Sequence, residues 1–271
     1  MARITALNIY PIKGCRGLAL SSARVTEAGF EHDREWLIVR PDGRFLTQRE
    51  EPRLALIEPV LDECNLEVRL PNGASVRMPL DAEGPQVAVT CWRDVCAAFD
   101  MGEEVARLLS DFLEHPVRLV RFDARRRRLS DPSWTQGVEA TTRFADAFAW
   151  LLTCEASLED LSSRLDEPVP MNRFRPNIVL GGVEPFYEDG IHELYTQDVR
   201  LRAVKPCGRC IVPTTDQQTG QRTGVEPLRT LRSYRYDSRV KGATFGQNLI
   251  LISGAGNTLS VGQQLQATRK S

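Results

Sequence analysis

Turn signals cut the first hundred residues into short pieces, and this limits the fold more than any other feature of the chain. "ARITALNIYPI", "SARVTEAGF", "REWLIVRPDGRFLTQR", "ALIEPVLD", "NLEVRLPNGASVRMPL" and "QVAVTCW" alternate or run apolar over strand lengths. "PDG" and "PNG" mark tight turns, and the second and fifth pieces read as hairpins. Many short strands with regular turns predict a barrel or sandwich. One helix is expected within 102–113, where Val105, Leu108, Leu109, Phe112 and Leu113 recur at helical spacing. The expected class is mainly β with some helix (α+β).

The chain has 271 residues, enough for one large domain or two modest ones, with a boundary expected near 95–130. A net charge of −1 provides no basic field for nucleic acid. No apolar run of about 18 residues suggests a membrane span. The opening "MARITALNIYPIKG" has no apolar signal core, so a cytoplasmic location is expected. Seven cysteines, an odd number, argue against a disulfide framework in that compartment. Among the 35 basic residues only Lys13, Lys205, Lys241 and Lys270 are lysines. Arginine is thus the background cation, and a lysine beside a glycine or a cysteine carries more information.

The second half is less regular. "ARRRRLSDPSW" (124–134) reads as a solvated basic loop, with a docking surface as the alternative. "FADAFAWLLTCEASLEDLSSRL" predicts a strand and then a helix, with Thr153 or Ser157 as its cap. "RFRPNIVLGG" and "DVRLRAVKPCGRC" read as strands, the second running into the loop "CGRCIVPTTDQQTG". The tail "NLILISGAGNTLSVGQQLQA" reads as two more strands about a glycine-rich turn.

Cys207 and Cys210 admit four readings. A zinc site needs four ligands, and the remaining close pair, Cys91 and Cys96, together with scattered His32, His115 and His192, makes a poor set. A thioredoxin-like pair belongs at a strand-to-helix turn, whereas Pro213 and its neighbours read as a turn. Two packed core thiols are the plain alternative. A reactive thiolate flanked by Lys205 and Arg209 is the fourth, since cations favour thiolate and thiolate suits a soft metal centre.

Distant segments decide among them by resemblance. "YPIKGCRG", "HDREWLIV", "FLTQREEPRLALI", "LLTCEASLEDLSSRL", "NRFRPNIVLGG", "CGRCIVPTTDQQTG", "EPLRTLRSYR", "FGQNLIL" and "VGQQLQ" occur in this order and span nearly the whole chain. Together they resemble the MOSC superfamily, in its two-domain branch with an N-terminal β-barrel domain that includes the mitochondrial amidoxime-reducing component and its bacterial relatives. The resemblance implies an N-terminal β-barrel-like domain over 1–120 and a MOSC β-barrel domain over 121–268.

It also implies a molybdenum cofactor, Mo-molybdopterin, with Cys210 as metal ligand and catalytic residue, and Cys207 as a neighbour. Cofactor contacts carry over to Lys13 near the phosphate, to Gly14, where relatives often have serine and only a backbone N–H remains, and to Arg34 at the anionic end. Arg175 and Asn177 would line the pterin site, Gly208 and Arg209 would flank the ligand, and Asp146 and Thr153 are further candidates. Asn248 stands where some relatives carry an aromatic residue. Arginine pairs with phosphate in a bidentate fork, and Asn offers donor and acceptor to a pterin edge.

The implied activity is reduction of N-hydroxylated compounds (hydroxylamines, amidoximes, N-hydroxylated base analogues). Electrons are expected from a separate ferredoxin, flavoprotein or cytochrome-b5-like donor, because no Cys-rich tail for an Fe–S cluster follows the last strands. The alternative is a cofactor carrier or sulfur-transfer protein without reductase turnover.

Overall fold

The computed structural model describes residues 1–270. Strands dominate, joined by four short α-helices among the described residues. The two expected hairpins are present: Ser22–Thr26 pairs with Gly29–Phe30, and Asn65–Arg69 pairs with Ser75–Pro79 around the "PNG" turn. The piece "ALIEPVLD" starts differently. Pro52 opens a 3-10 turn over Pro52–Leu56, which keeps Ala55 and Leu56 out of the strand Glu58–Leu61.

The larger sheet joins the two ends of the chain. Arg3–Ile9 lies between Leu18–Leu20 and Ile178–Gly181. The sheet continues through Trp150–Cys154, Gly242–Ser253, Arg200–Gly208, Ile191–Tyr195 and Gln266–Arg269. It then returns to its start. Ile4 N donates to Gln263 O at 3.0 Å, Gly262 N donates to Ile4 O at 2.8 Å, and Leu265 N donates to Ala2 O at 3.0 Å. The sheet therefore closes into a barrel, which removes the exposed edges of an open sheet. Its interior is filled by Ile4, Leu7, Phe30, Trp150, Leu152, Ile178, Leu180, Leu194, Leu201 and Leu249.

The strand pairing crosses the expected boundary near residue 120. Segment 3–30 contributes Arg3–Ile9 and Leu18–Leu20 to the barrel, and Ser22–Thr26 pairs with Thr258–Ser260. The intervening chain builds a second body. Trp36–Val39, Arg118–Phe122, Asp94–Asp100 and Gln86–Cys91 form one sheet, and Glu58–Leu61 adds to the 65–79 hairpin in another. Helix Glu103–Leu113 covers them with buried Val105, Leu109 and Leu113, against Trp36, Ile38, Leu66 and Val68. Glu103 and Glu104 suit the positive end of its dipole.

The expected cap of the second-half helix is corrected. Helix Glu155–Ser162 follows Trp150–Cys154 directly, with Cys154 at the N-cap and no side-chain cap bond. Thr153 points into the core and reaches only Met171 Sδ. Ser157 is buried; its hydroxyl donates to Glu188 Oε2 at 2.9 Å and accepts from Phe186 N at 2.8 Å. Tertiary partners have taken both side chains that local sequence offered as caps. Where Gly242–Ser253 crosses Trp150–Cys154, Gly246 has φ +84, and a Cβ there would lie 2.5 Å from Leu152 O. Only glycine permits that approach.

The arginine-rich segment is not a free basic loop. Arg128 is buried, pairs with Asp94 Oδ2 at 2.7 Å, and donates to the carbonyls of Arg143 and Ala145. Arg125 pairs with Asp123, and Arg127 with Glu139. A docking surface built on these side chains loses its principal charges to internal partners.

A cationic cavity as the candidate active site

A cavity of about 390 Å³ lies between the second body and the barrel. Lys13, Gly14, Arg34, Gln48, Arg49 and Trp92 line it from the N-terminal half, and Asp146, Phe174, Arg175, Asn177 and the 205–210 segment from the C-terminal half. Its walls carry six cationic side chains, Lys13, Arg34, Arg49, Arg175, Lys205 and Arg209, and a single carboxylate, Asp146. A concave surface of this balance binds anions.

At the Lys13 end the lysine is paired, while Arg49 lies over the Trp92 ring. Lys13 Nζ donates to Asp146 Oδ1, and Trp92 Nε1 donates to the same oxygen at 3.2 Å. Asp146 is open to the cavity but closely ringed by protein. That enclosure opposes its charge, and Lys13 and Trp92 more than offset it, holding the carboxyl well below the usual carboxylate range. Gly14 has φ +86, and a Cβ there would meet Leu54 Cδ1 at 3.2 Å, so a serine would be strained at this position.

Arg34 is fixed by a buried network. Its Nη1 donates to Asp33 Oδ2 at 2.6 Å and to Asn177 Oδ1 at 2.9 Å. Asn177 Nδ2 donates to Asp33 Oδ2 and to Asn8 O, while Leu151 N donates to Asn177 Oδ1. Asp33 Oδ1 accepts from Tyr10 N at 2.7 Å. Both donors and both acceptor positions of the Asn177 amide are thus occupied within the protein. Asn177 lines the cavity, as the sequence suggested, and its amide is also bonded to Arg34.

Arg34 and Arg175 each lie over the ring of Tyr10, their guanidinium carbons 4.3 and 4.2 Å from its centroid. Burial pushes the Tyr10 hydroxyl up to about 12, despite both cations. The backbone at Arg34 (φ 46), Arg175 (φ 56) and Trp92 (φ 60) is left-handed, an unfavourable region for these side chains. Three cavity residues carry that cost together.

The cysteine end differs. Arg209 Nη1 donates to Cys207 Sγ at 3.0 Å and Nη2 to Phe174 O at 2.9 Å, and its Nε is buried without a partner. Arg175 reaches only the amide of Gln217, at 3.4 Å, and burial depresses its guanidinium to about 10. Neither arginine has a carboxylate partner among the described residues. Both thiols are free. The loop itself is tied down: Gln217 and Gln48 exchange amide hydrogen bonds at 3.0 Å, and Arg173 pairs with Asp216 at 3.2 Å.

The structure thus brings Lys13, Gly14, Arg34, Asp146, Arg175, Asn177, Gly208, Arg209 and Cys210 to one cavity, with Cys207 beside them. Thr153 is the exception, because it faces the core and lies outside the lining. Arg49, Trp92 and Lys205 line the cavity although the site reading did not assign them a contact. Rarity was the available signal for Lys205; nothing local marks the other two. Cys91 and Cys96 pack in the second body among Phe45, Val89 and Phe144. Among the described residues no group of three His, Cys, Asp or Glu side chains is placed to hold a metal ion.

Residues 1–116 match the MOSC N-terminal beta barrel domain, and residues 139–266 match the MOSC domain. The chain is 35% identical to mitochondrial amidoxime-reducing component 1 of Mus musculus, over 90% of this chain and 74% of that one. It is 34% identical to the Homo sapiens protein of the same name, over 92% and 78%. It is 36% identical to mitochondrial amidoxime reducing component 2 of Rattus norvegicus, over 84% and 70%. No helix among the described residues is long and apolar enough to cross a membrane. With both domain matches in order and these relatives along most of its length, the chain belongs to the MOSC family, in the branch that carries the N-terminal beta barrel domain.

Proposed function

We propose that the cavity holds a molybdenum cofactor and that the protein reduces N-hydroxylated compounds, taking electrons from a separate donor protein. The supporting observation is the donor set gathered in one cavity: free Cys210 and Cys207, and six cations against one carboxylate.

These residues suit such a group. A phosphate-bearing ligand needs cations that are not already neutralised, and Arg175 and Arg209 have no carboxylate partner. The buried Arg209 Nε lacks an acceptor, which an anionic ligand can supply. Cys210 Sγ is a soft donor at the cavity wall and would hold the metal. Lys13 and Arg34 would meet the anionic end, and Asp146 would keep Lys13 in place. Gly208 and Gly14 would offer backbone close to the ligand. Asn177 would act through Arg34. When bound, the cofactor supplies two-electron removal of oxygen from N–OH, with two protons consumed and water released. The protein binds, orients and encloses.

Metal analysis of chain produced in a host that makes molybdopterin tests the reading. Near-stoichiometric molybdenum is expected in the wild type and in Cys207→Ala, and loss of metal or of turnover in Cys210→Ala. Benzamidoxime with reduced viologen then assays turnover. Zinc in place of molybdenum, or folded chain without metal, sinks the proposal. Retained molybdenum with no turnover of any N-hydroxylated compound turns the protein into a carrier.

A further inference from the structure

Lys205 is the cavity cation with neither a carboxylate partner nor an assigned role at the cysteine end. It lies on strand Arg200–Gly208, where Leu201 and Ala203 face the barrel core. The register against Gly242–Ser253 slips between Ala203 and Lys205, a bulge that re-aims the strand. Beyond it, Lys205 and Cys207 both line the cavity, two residues and so roughly 6.6 Å of strand apart. The residue across the ladder is Asn248, which also lines the cavity and whose Nδ2 donates to Lys205 O at 3.2 Å. The Lys205 ammonium stands 4.7 Å from the centroid of the Trp134 ring. The neighbouring carboxylate, Asp131, accepts from Ser133 N and Ser133 Oγ and is not ion-paired with Lys205. A half-buried ammonium held against an indole, beside the cysteines and with Asp131 acting on it only through space, is placed to receive an anion.

We infer that Lys205 selects substrates: the protein prefers N-hydroxylated compounds that carry a negative charge, such as a carboxylate or phosphate, beyond the N–OH group. This rests on the reductase reading above. Lys13, Arg34, Arg175 and Arg209 serve the cofactor in that reading; of the two cations left, Arg49 is exposed over the Trp92 ring, and Lys205 is the one beside the cysteines. Asn248 adds an amide beside the ammonium, and Trp134 holds the side chain at the wall. A bare ammonium in a partly enclosed site draws anions in a salt-dependent way and raises capture more than turnover.

The experiment compares benzamidoxime with 3- and 4-carboxybenzamidoxime on cofactor-loaded wild type, Lys205→Met and Lys205→Arg. Expected is a kcat/KM at least about fivefold higher for one carboxylated isomer in wild type, carried by KM and shrinking as salt rises. Lys205→Met abolishes the preference, bringing kcat/KM for the carboxylated isomer down to that for benzamidoxime measured on the same preparation; Lys205→Arg restores it. Calorimetric binding of benzamide and 4-carbamoylbenzoate to the same preparations gives a readout independent of turnover, with the same ordering expected. Turnover of benzamidoxime without any carboxylate preference overturns this inference and leaves the reductase reading standing. Loss of both substrates equally in Lys205→Met also overturns it, because Lys205 is then structural. If no N-hydroxylated compound is turned over, the reductase reading fails, and the binding comparison still decides whether Lys205 selects anions.

Discussion

The cavity contains cations of two kinds, and they teach different things. Lys13 and Arg34 are held by Asp146 and Asp33, and Arg34 has the Asn177 amide as well. Arg175, Arg209 and Lys205 stand half-buried without carboxylates, and the exposed Arg49 has only the Trp92 ring. The first kind contributes to the fold that presents it. The second works against folding, because an unpaired cation in a half-enclosed wall loses hydration and recovers little. A chain keeps such groups where a ligand repays them.

This contrast yields a graded set of tests. Asp33→Ala should have the largest effect. It strips Arg34, Asn177 and Tyr10 N of one shared acceptor, and breaking a buried charged network costs about 3–5 kcal/mol. Urea denaturation of cofactor-free chain measures it, and a loss under about 1 kcal/mol would erase the distinction between the two kinds. Arg175→Met should move stability the other way, by about 1 kcal/mol, because it removes a buried, carboxylate-free guanidinium. The same variant should retain less molybdenum. A clear destabilisation of the cofactor-free chain would place Arg175 with the paired residues.

A smaller effect depends on pH and lies outside the cavity. Burial raises the Glu188 carboxyl above its ordinary value, and no cation pairs with it among the described residues. A carboxyl raised in the folded state gives stability that is fully present below the unfolded value, about 4.3, and is lost as pH rises through the folded value. Glu188→Gln should therefore flatten the fall in urea midpoint between about pH 4.5 and neutrality. An unchanged slope would show that Glu188 is ionised in the fold. Smallest of all, Arg126→Ser should change stability by less than about 0.5 kcal/mol, and donor-driven turnover should not respond to it. A salt-sensitive drop in that turnover would return the 124–128 segment to consideration as a docking surface.

Local signals in the sequence carried the hairpins at 22–30 and 65–79, the helix at 103–113 and the strand that enters the cysteine loop. Each depends on neighbours within a few residues, so turn chemistry and periodicity report it directly. What escaped was set by partners far along the chain. Ser157 looks like a cap until Glu188 and Phe186 N take its hydroxyl. Arg128 looks like one of four equivalent surface cations until Asp94 and two carbonyls enclose it. Asn177 lines the cavity as read, but the bonds of its amide to Arg34, Asp33 and Asn8 had no local signal. The cavity residues were legible only as a set spread over distant segments. Arg49 and Trp92 became visible when the two halves met around the same space.

The barrel seam has a consequence for synthesis. Arg3–Ile9 cannot find Ile178–Gly181 until most of the chain has left the ribosome, and its bonds to 262–265 come later still. Throughout that interval the apolar side chains of Ile4, Leu7 and Ile9 have only the 18–30 segment beside them, and none of Trp150, Ile178, Leu180 or Leu249, which complete the core of the finished barrel. Contacts of such high sequence separation form slowly. Changes in the first strand will therefore be felt in the yield of folded protein when translation is fast, before they are felt in the equilibrium stability of molecules that have closed.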